Sequence, residues 1–362
     1  MFFTHIAGQN FRLFREFELY PAPGINLILG ANAAGKTTLL EAIYALGRGR
    51  SFRGTATELA GPAQPGWVVQ GTLAADGQPA TRVGLGWSAE GLRIRIDQAD
   101  RTLQDLARAS AVEVLEPDSH RLLDDGPVYR RRYLDWGVFH VEHRFYPAWR
   151  RFQRAQKQRN QALRDGLERA AVEAWNDEIA TAGEEVQAYR AEHVRALQEP
   201  LQAEIGALLG PLDWSLDLRR GWSSEHSLAE VLRSHYDTDL RRGTTMSGPH
   251  RAELKLRLSG HTARHHASRG QQKMLIAGLL LAQARLIRER TGHEPILLLD
   301  DFPAELGPGF QSALMAALLR YGGQCFVTSI ERTPAFSEVP DDARINAMFH
   351  VEHGAVSGPS LL

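Results

Sequence analysis

The chain has 362 residues, a formal net charge of −1 and one cysteine, Cys325. Its length suits two or three structural lobes, and its near-neutral charge confines any nucleic-acid binding to local basic patches. One cysteine excludes an intrachain disulfide, Met1–Tyr20 lacks a signal-peptide core, and the longest apolar run, Met274–Ala282, is too short to span a membrane. We therefore expect a cytoplasmic protein without a membrane partner.

The N-terminal part has an α/β pattern. Apolar and charged residues alternate in Met1–Tyr20, which predicts a half-exposed β-hairpin. A short apolar strand at Ile25–Leu29 precedes a helix predicted over Lys36–Leu46. Further on, we predict a β-meander at Trp67–Ile96 and a strand at Val112–Leu115.

The middle of the chain is polar and helical. Two long helices are predicted, Phe145–Arg164 and Leu167–Leu201, and apolar residues from Val172 to Tyr189 recur at the spacing of a helix-pair seam. Residues 130–164 hold ten Arg or Lys against two acids, whereas residues 165–204 hold ten acids against three arginines. We therefore predict an antiparallel helix pair of opposite charge, with some basic surface left exposed.

Strands and helices alternate again toward the C-terminus. The pattern predicts a strand at Ala252–Leu258, a long helix from Arg269, and buried strands at Ile296–Leu299 and Gln324–Thr328. The predicted fold class is thus an α/β head, split in sequence by an inserted helical lobe. The predicted domains are the first part of the head, the helical lobe and the second part of the head, at residues 1–134, 135–246 and 247–362.

One glycine-rich segment matches a phosphate-binding loop. Residues 30–37 fit G-x-x-x-x-G-K-[ST] without a mismatch, between an apolar strand and a helix. The backbone N–H groups of such a loop surround phosphates at the helix N-terminus. We expect Lys36 to bridge the β- and γ-phosphates of ATP and Thr37 to ligate Mg²⁺. The predicted nucleotide-binding residues here are Gly30, Ala31, Asn32, Ala33, Ala34, Gly35, Lys36, Thr37 and Thr38.

Two acids follow the strand Ile296–Leu299. A hydrolase with a phosphate loop needs a carboxylate at the end of a neighbouring strand, and Asp300 and Asp301 meet that requirement. Asp300 is expected to hold Mg²⁺, and Asp301 to orient or deprotonate the attacking water. The predicted catalytic residues are therefore Lys36, Asp300 and Asp301.

The segment Ser268-Arg269-Gly270-Gln271 opens the long helix about 30 residues before the acids. It resembles the signature motif of the ABC-type ATPase superfamily. The resemblance implies that Ser268 and its helix N-terminus contact the γ-phosphate held by the opposite subunit. An isolated Ser at a helix start is more often an N-cap, but here the order of motifs favours the nucleotide role.

Longer segments resemble the RecF family of ABC/SMC-type ATPases: "LEAIYALGRGRSFR" (40–53), "EPDSHRLLDDGPVYRRRYLDWGVFH" (116–140), "KQRNQALR" (157–164), "SGPHRAEL" (247–254) and "SRGQQK" (268–273). The likeness extends to about residue 330, leaving only the last thirty residues undistinctive. It implies weak ATPase activity stimulated by DNA, head-to-tail dimerisation on ATP, and binding of duplex DNA near single-strand gaps and junctions. It also implies cooperation with RecR and RecO in loading RecA during recombinational repair.

Two positions depart from the pattern of that family. Ala304 and Gly307 stand where Ser and Asp are usual, and the missing carboxylate at Gly307 puts signalling across the dimer in doubt. After the last predicted strand, Ser329 stands where transporter ATPases place a histidine. A sensor of the γ-phosphate is therefore expected to be the hydroxyl of Thr328 or Ser329, or to be absent.

Basic residues outside the loop have more than one interpretation. Arg48, Arg50 and Arg53 lie on a Gly-rich loop, and with the family resemblance we predict that they contact the DNA backbone. The segment Arg130–Arg132 either faces DNA or pairs with acids of the second long helix. His261, His265 and His266 indicate an exposed loop rather than a metal site.

Three other functions compete with this one. Another SMC/ABC-type ATPase that acts on DNA would share all these motifs. A transporter ATPase subunit is disfavoured by the helical insertion, the basic loop and the absence of Leu-Ser-Gly-Gly-Gln. A small-molecule P-loop kinase would have no use for the Ser268 segment.

Overall fold

The structure, a computed structural model, describes residues 1–62, 65–75, 77–304, 306–340 and 346–360, without the side chains of 117, 118, 264, 265 and 360. The chain divides into two compact units. The first comprises Met1–Ser119, Glu204–Gly210 and Arg269–Leu362, and the second His120–Ala203 and Pro211–Ser268. The sequence-based domain boundaries at 134/135 and 246/247 stay a prediction.

In the described residues the strands are β1 Phe2–Phe11, β2 Phe14–Leu19, β3 Ile25–Leu29, β4 Trp67–Ala75, β5 Gln78–Ser88, β6 Gly91–Ile96, β7 Ala99–Asp100, β8 Val112–Leu115, β9 Trp214–Arg219, β10 Glu253–Leu258, β11 His261–Thr262, β12 Ile296–Leu299, β13 Cys325–Ser329, β14 Ala347–Glu352 and β15 Ala355–Ser360. The helices are α1 Lys36–Arg48, α2 Leu103–Ala109, α3 Arg121–Asp124, α4 Pro127–Val141, α5 Phe145–Arg164, α6 Arg169–Glu173, α7 Asn176–Leu209, α8 Leu228–Ser234, α9 Tyr236–Arg242, α10 Ala263–His266, α11 Arg269–Thr291 and α12 Pro308–Tyr321. Short 3₁₀ turns lie at Thr57–Leu59, Pro117–His120, Pro249–Arg251 and Pro334–Glu338.

A mostly parallel sheet forms the centre of the first unit. Its strand order is β15-β14-β3-β13-β12-β8, and all but β15 run parallel to their neighbours. The strands β3 and β12 are apolar except for Asn26, and every residue in them is buried. Continuous apolar strands of this kind are typical of a parallel sheet covered on both faces. Since parallel strands end at the same edge, the segments that follow β3, β13 and β12 meet there.

The first unit also contains a second sheet, which is antiparallel. Its order is β2-β1-β4-β5-β6-β7, so the predicted N-terminal hairpin and β-meander belong to one layer. Buried apolar residues of this sheet, such as Phe3 and Val69, share one core with Leu39 and Ile43 of α1 and with Phe326 of β13. The helix that follows the phosphate loop is thereby packed between the two sheets.

A buried amide links the two sheets of the first unit. Gln324, immediately before β13, donates through Nε2 to the carbonyls of Phe3 and Ala22, each at 2.8 Å. Its Oε1 accepts from Phe3 N, also at 2.8 Å. Because three backbone groups are satisfied inside the protein, this glutamine carries no penalty for its burial.

The last thirty residues, which showed no motif, complete the central sheet. Residues 347–350 of β14 pair in parallel with residues 26–29 of β3, the strand that leads into the phosphate loop. Asn346 accepts a hydrogen bond from Ile25 N at 2.8 Å through its Oδ1. The C-terminal segment thus supports the strand on which the predicted nucleotide site depends.

The second unit contains the predicted helix pair and a small sheet of order β11-β10-β9. Trp149 lies against the Arg190 guanidinium, Arg151 pairs with Glu178 and Glu185, and Arg159 bonds Asn176. Since the partner number falls as the α5 number rises, α5 and α7 run antiparallel.

Most predicted elements are confirmed, with some changes of boundary. The bounds predicted for β3, β8, β12 and α5 are those of the structure. The second long helix differs, because a break after Glu173 separates α6 from α7, which continues to Leu209. Among the described residues no helix combines the length and the apolar character needed to cross a membrane.

Candidate nucleotide site

The phosphate loop is confined by close backbone and ring contacts. A Cβ added to Gly30 would lie 2.3 Å from the carbonyl oxygen of Val351 in β14, so only glycine fits there. Gly35 has φ +122°, and a Cβ on it would lie 2.7 Å from the ring of Phe14. Ala33 also adopts a positive φ of 62°, which few non-glycine residues do. The loop therefore has little freedom to adopt another shape.

Lys36 begins α1 and is held inside the loop. Its ammonium donates to the carbonyls of Gly30 at 2.7 Å and Ala31 at 2.9 Å. Burial lowers the pKa of Lys36, while attraction to Asp301 and Asp300 opposes that effect. A buried cation beside several loop N–H groups is suited to bind a polyphosphate.

Asp300 joins the loop to the neighbouring strands. Its Oδ1 accepts from the Thr37 hydroxyl at 3.0 Å and from the Thr328 hydroxyl at 2.9 Å. Burial raises the pKa of Asp300, although the hydroxyls of Thr328 and Thr37 act in the opposite direction. The structure thus brings together one residue from each of the segments that follow β3 and β12, and one from β13.

The geometry of Thr37 and Asp300 fits a magnesium site. Two adjacent ligands of an octahedral Mg²⁺ with bonds near 2.1 Å are about 3.0 Å apart. The Thr37 and Asp300 oxygens have this separation. A cation beside Asp300 would also favour the charged carboxylate, which burial alone disfavours.

Asp301 has a strained backbone that hydrogen bonds to Thr328 and Lys273 hold in place. It adopts φ +53°, a left-handed conformation that is uncommon for a residue with a side chain. Its N–H donates to Thr328 Oγ1 at 2.8 Å. Lys273, buried in the first turns of α11, donates to the carbonyl of Ala304 at 2.8 Å and more weakly to that of Asp301 at 3.4 Å. These bonds connect the start of α11 to the loop that carries the second acid.

The basic loop after α1 is tied to a buried glutamate. Glu41 of α1 is fully buried, and its carboxylate accepts hydrogen bonds from Arg12 at 2.8 Å, Ser51 at 2.5 Å and Arg53 at 2.6 Å. Burial by itself would raise the pKa of Glu41, but the bonds from Arg53, Arg12 and Ser51 outweigh it and hold that pKa below its usual value. The network connects the β1–β2 hairpin, the phosphate-loop helix and the basic loop.

The three arginines predicted to bind DNA lie in different surroundings, and Arg48 ends helix α1 rather than lying on the loop as predicted. Arg48 donates to the Val112 carbonyl at 2.9 Å and pairs with Glu113 at 2.6 Å, and Arg53 pairs with Glu41. Arg50 is exposed and, within the described residues, forms no ion pair. Two of the three arginines thus have a structural partner, and the prediction of DNA contact applies with most force to Arg50.

Two arginines of the Arg130–Arg132 segment have their partners in and beside strand β10. Arg130 forms an ion pair with Glu253 of β10 at 2.7 Å, and Arg131 donates to the Ala252 carbonyl at 2.9 Å. Pairing with acids of the second long helix was therefore the wrong expectation for Arg130. Arg132 is exposed and lies over the Tyr129 ring.

The signature segment is exposed at the start of α11. Ser268, Arg269 and Gln271 are all exposed, whereas residues 272–284 of the helix are all buried. A helix of 23 residues places partial positive charge at this N-terminus. The segment is thus accessible to an anion, as a role in a second subunit's site requires.

Comparison with known proteins decides the family. The DNA replication and repair protein RecF of Stutzerimonas stutzeri (strain A1501) is 38% identical over 367 residues, covering 99% of this chain and 99% of the relative. This chain belongs to the RecF family. The AAA domain profile also matches residues 5–56, the hairpin and phosphate-loop region.

Solved structures show the same fold. The recombination mediator protein RecF-ATP in the RecFOR pathway superposes with a TM-score of 0.87 at 23% identity, covering 100% of this chain and 97% of that one. An Smc head bound to the C-winged helix domain of ScpA gives 0.59 at 11% identity, covering 100% and 98%. The predicted ABC-type ATPase head, split in sequence, is therefore confirmed for this RecF family member.

Several residues of this RecF site were not found from the sequence. Glu41 stands alone among apolar residues of α1, and a lone acid on a buried helix face near arginines is the signal that could have revealed it. Thr328 was predicted only as a possible sensor, whereas its hydroxyl holds both Asp300 and the Asp301 backbone. Ser329, the other candidate sensor, donates to the Glu331 carbonyl at 2.7 Å. Among the residues that the structure describes, nothing lies within 4 Å of a Cβ added to Gly307, so the aspartate usual at that position in the RecF family fits beside them.

Replacing Glu41 with Gln should destabilise the protein by about 1–3 kcal/mol at pH 7, because Arg12 and Arg53 lose their carboxylate. Since the pKa of Glu41 is lowered in the folded state, its contribution is present above the unfolded value near 4.3 and lost as pH falls through the folded value. Urea unfolding at several pH values should therefore show that the difference in the free energy of unfolding between Glu41→Gln and wild type becomes smaller in acid. The exposed Glu16→Gln is the matched control and should change little; an equal loss in both variants would refute the network's role.

Proposed function

We propose that this RecF family member is an ATP-dependent DNA-binding protein of recombinational repair that acts in the cytoplasm. It binds ATP with Mg²⁺, dimerises on it, and hydrolyses it slowly, faster when bound to DNA. The observation that carries the proposal is the hydrogen-bonded group of Thr37, Asp300 and Thr328, which joins an intact phosphate loop to the acid strand. That arrangement suits phosphoryl transfer to water.

The residues of the candidate site have distinct parts in the proposed reaction. Mg²⁺ bound with ATP would supply charge neutralisation at the phosphates. Lys36 binds the β- and γ-phosphates, while Thr37 and Asp300 hold the metal ion. The strained backbone at Asp301 directs its carboxylate, which orients the attacking water and accepts its proton.

The dimer would be completed by the signature segment. Ser268, Arg269, Gly270 and Gln271 lie at the exposed start of α11, where the helix N-terminus attracts an anion. We propose that they bind the γ-phosphate held by the other subunit in a head-to-tail homodimer. ADP lacks this phosphate, so it should not hold the dimer together.

The DNA partner in this proposal is a duplex near a single-strand gap or junction. Arg50 contacts its backbone, supported by Arg48 and Arg53, whose pairing with Glu113 and Glu41 holds the loop in shape. In the pathway that the family implies, RecR and RecO are the protein partners, and the outcome is loading of RecA.

Asp301→Asn should retain ATP but hydrolyse it at least about 100-fold more slowly, since the metal-binding Asp300 remains while the water loses its base. Fluorescent-nucleotide titration and phosphate release measure the two steps separately. Lys36→Met is the contrasting variant, because it should lose nucleotide binding itself. If Asp301→Asn also lost binding, the roles of the two acids would be misassigned.

Ser268→Arg should block ATP-dependent dimerisation while leaving ATP binding to the monomer nearly intact. Light scattering with ATP, ADP and no nucleotide tests the dimer, and an unchanged molar mass would refute it. A mixture of Lys36→Met with Ser268→Arg is more specific. Their mixed dimer has one site with both defects and one with neither, so hydrolysis should partly return only if the active sites are shared between subunits.

Arg50→Gln should weaken duplex binding irrespective of sequence and reduce the salt slope of log K by about 0.9, the value for one phosphate contact. Fluorescence anisotropy at several salt concentrations measures this slope. Arg320→Gln, which removes an exposed arginine of α12, serves as the control. A slope equal to that of wild type would mean that Arg50 makes no phosphate contact and that the loop is an ordinary solvated surface.

A further inference from the structure

Helix α5 carries a surplus of positive charge that the nucleotide site does not use. Its 20 residues include six Arg or Lys and no acid. Two of the six have partners in the fold of the second unit: Arg159 is fully buried and pairs with Asp239 at 2.7 Å, and Arg151 pairs with Glu178 at 2.8 Å. The other four are Arg150, Arg154, Lys157 and Arg164, and all four are exposed.

These four residues share one face of the helix. At about 100° per residue, positions 150, 154, 157 and 164 lie on one stripe. The buried side chains of α5, among them Ala148, Phe152 and Ala155, occupy the opposite face. We name the four exposed cations the α5 basic stripe. It extends from residue 150 to residue 164, a rise of about 21 Å along the helix.

Few groups of the described fold neutralise the α5 basic stripe. Arg154 and Lys157 have no ion pair within the described residues, and Arg150 lies over the Tyr146 ring. Arg164 donates to Gln161, whose Nε2 in turn donates to Asp165, the one acid adjoining this end of the helix. Arg241 and Arg242 also approach this end, because Gly243, which follows them, lies against the Arg164 side chain.

Several acids of the second unit pair with cations outside the stripe. Glu178 and Glu185 of α7 pair with Arg151, which lies about 100° around the helix from Arg150 and so flanks the stripe. Asp237 of α9 attracts the charge of Arg169, and Glu173 forms an ion pair with Arg169 at 2.7 Å. The helix pair thus has a basic side and an acidic side.

We propose that the α5 basic stripe binds the phosphate backbone of duplex DNA. The inference rests on the proposed function and adds a second contact surface, in the helical lobe. A straight row of cations about 21 Å long spans roughly six phosphates of one DNA strand, whose spacing is about 3.4 Å along the axis. The acidic side of the helix pair repels DNA and so sets which side of the lobe faces it.

The chemistry of the stripe favours duplex DNA over other polyanions. Protein interfaces depend on apolar and aromatic anchors, and α5 has no exposed large apolar residue in the described structure. Single-strand sites stack bases on aromatic rings, but the one ring on this face, Tyr146, lies under Arg150. Glutamines at 153, 158 and 161 add donors that suit phosphate oxygens.

The test compares two charge-matched double variants of the full chain in the presence of ATP and Mg²⁺. Arg154→Gln with Lys157→Gln removes two charges from the stripe and should lower the salt slope for a labelled duplex by about 1.8. Arg169→Gln with Arg195→Gln removes two charges from the acidic side, where each arginine pairs with a glutamate, and should leave the slope unchanged. Both variants should keep the melting temperature of wild type, since all four side chains are exposed.

The outcomes separate this proposal from the function on which it rests. If wild type binds no duplex DNA, the proposed DNA-binding function is refuted, and the stripe proposal is refuted together with it. If wild type binds duplex DNA and the stripe variant shows the same salt slope and affinity as wild type, only the stripe proposal is overturned. An acidic protein surface then becomes the ligand to seek. A loss confined to a single-stranded oligonucleotide would overturn the assignment to duplex DNA. Arg154→Glu with Lys157→Glu should weaken duplex binding further than the glutamine variant.

Discussion

The candidate nucleotide site depends on one buried carboxylate, that of Asp300. It is placed at the edge where parallel strands end, and the hydroxyls of Thr37 and Thr328 converge on one of its oxygens. Burial of an unpaired carboxylate is unfavourable, as the raised pKa of Asp300 indicates. A cation beside Asp300 would favour its charged form, and the phosphate loop lies next to this carboxylate.

Around that carboxylate, two polar networks connect the site to more distant elements. Glu41 joins the phosphate-loop helix to the hairpin and to the basic loop, through cations that reach the surface. Lys273 joins the start of the signature helix to the loop of Asp301. Lys273 thus bonds the start of α11 to the Asp301 loop, and Glu41 bonds the basic loop to the helix that begins at Lys36, which is a physical basis for coupling between ATP and its proposed partners.

Charge in the second unit is distributed unevenly around helix α5. The net charge of −1 gives no global attraction to DNA, so specificity of approach must come from local surfaces. In α5, the buried Arg159 is neutralised by Asp239, the exposed Arg151 pairs with glutamates of α7, and the four cations of the α5 basic stripe have no ion pair within the described residues. One helix thereby stabilises the lobe on one face and exposes a row of cations on the other.

The sequence by itself determined the local elements and the chemistry of the loop. Apolar strands such as Ile296–Leu299 and the helix Phe145–Arg164 have their predicted bounds, because periodicity and short motifs reflect interactions between near neighbours. Only the tertiary structure decided which carboxylate each arginine meets, as with Arg48 and Glu113 or Arg130 and Glu253. It also decided that the undistinctive C-terminus pairs with β3. Such pairings join residues far apart in the chain, and their energy comes from burial and geometry that no local pattern encodes.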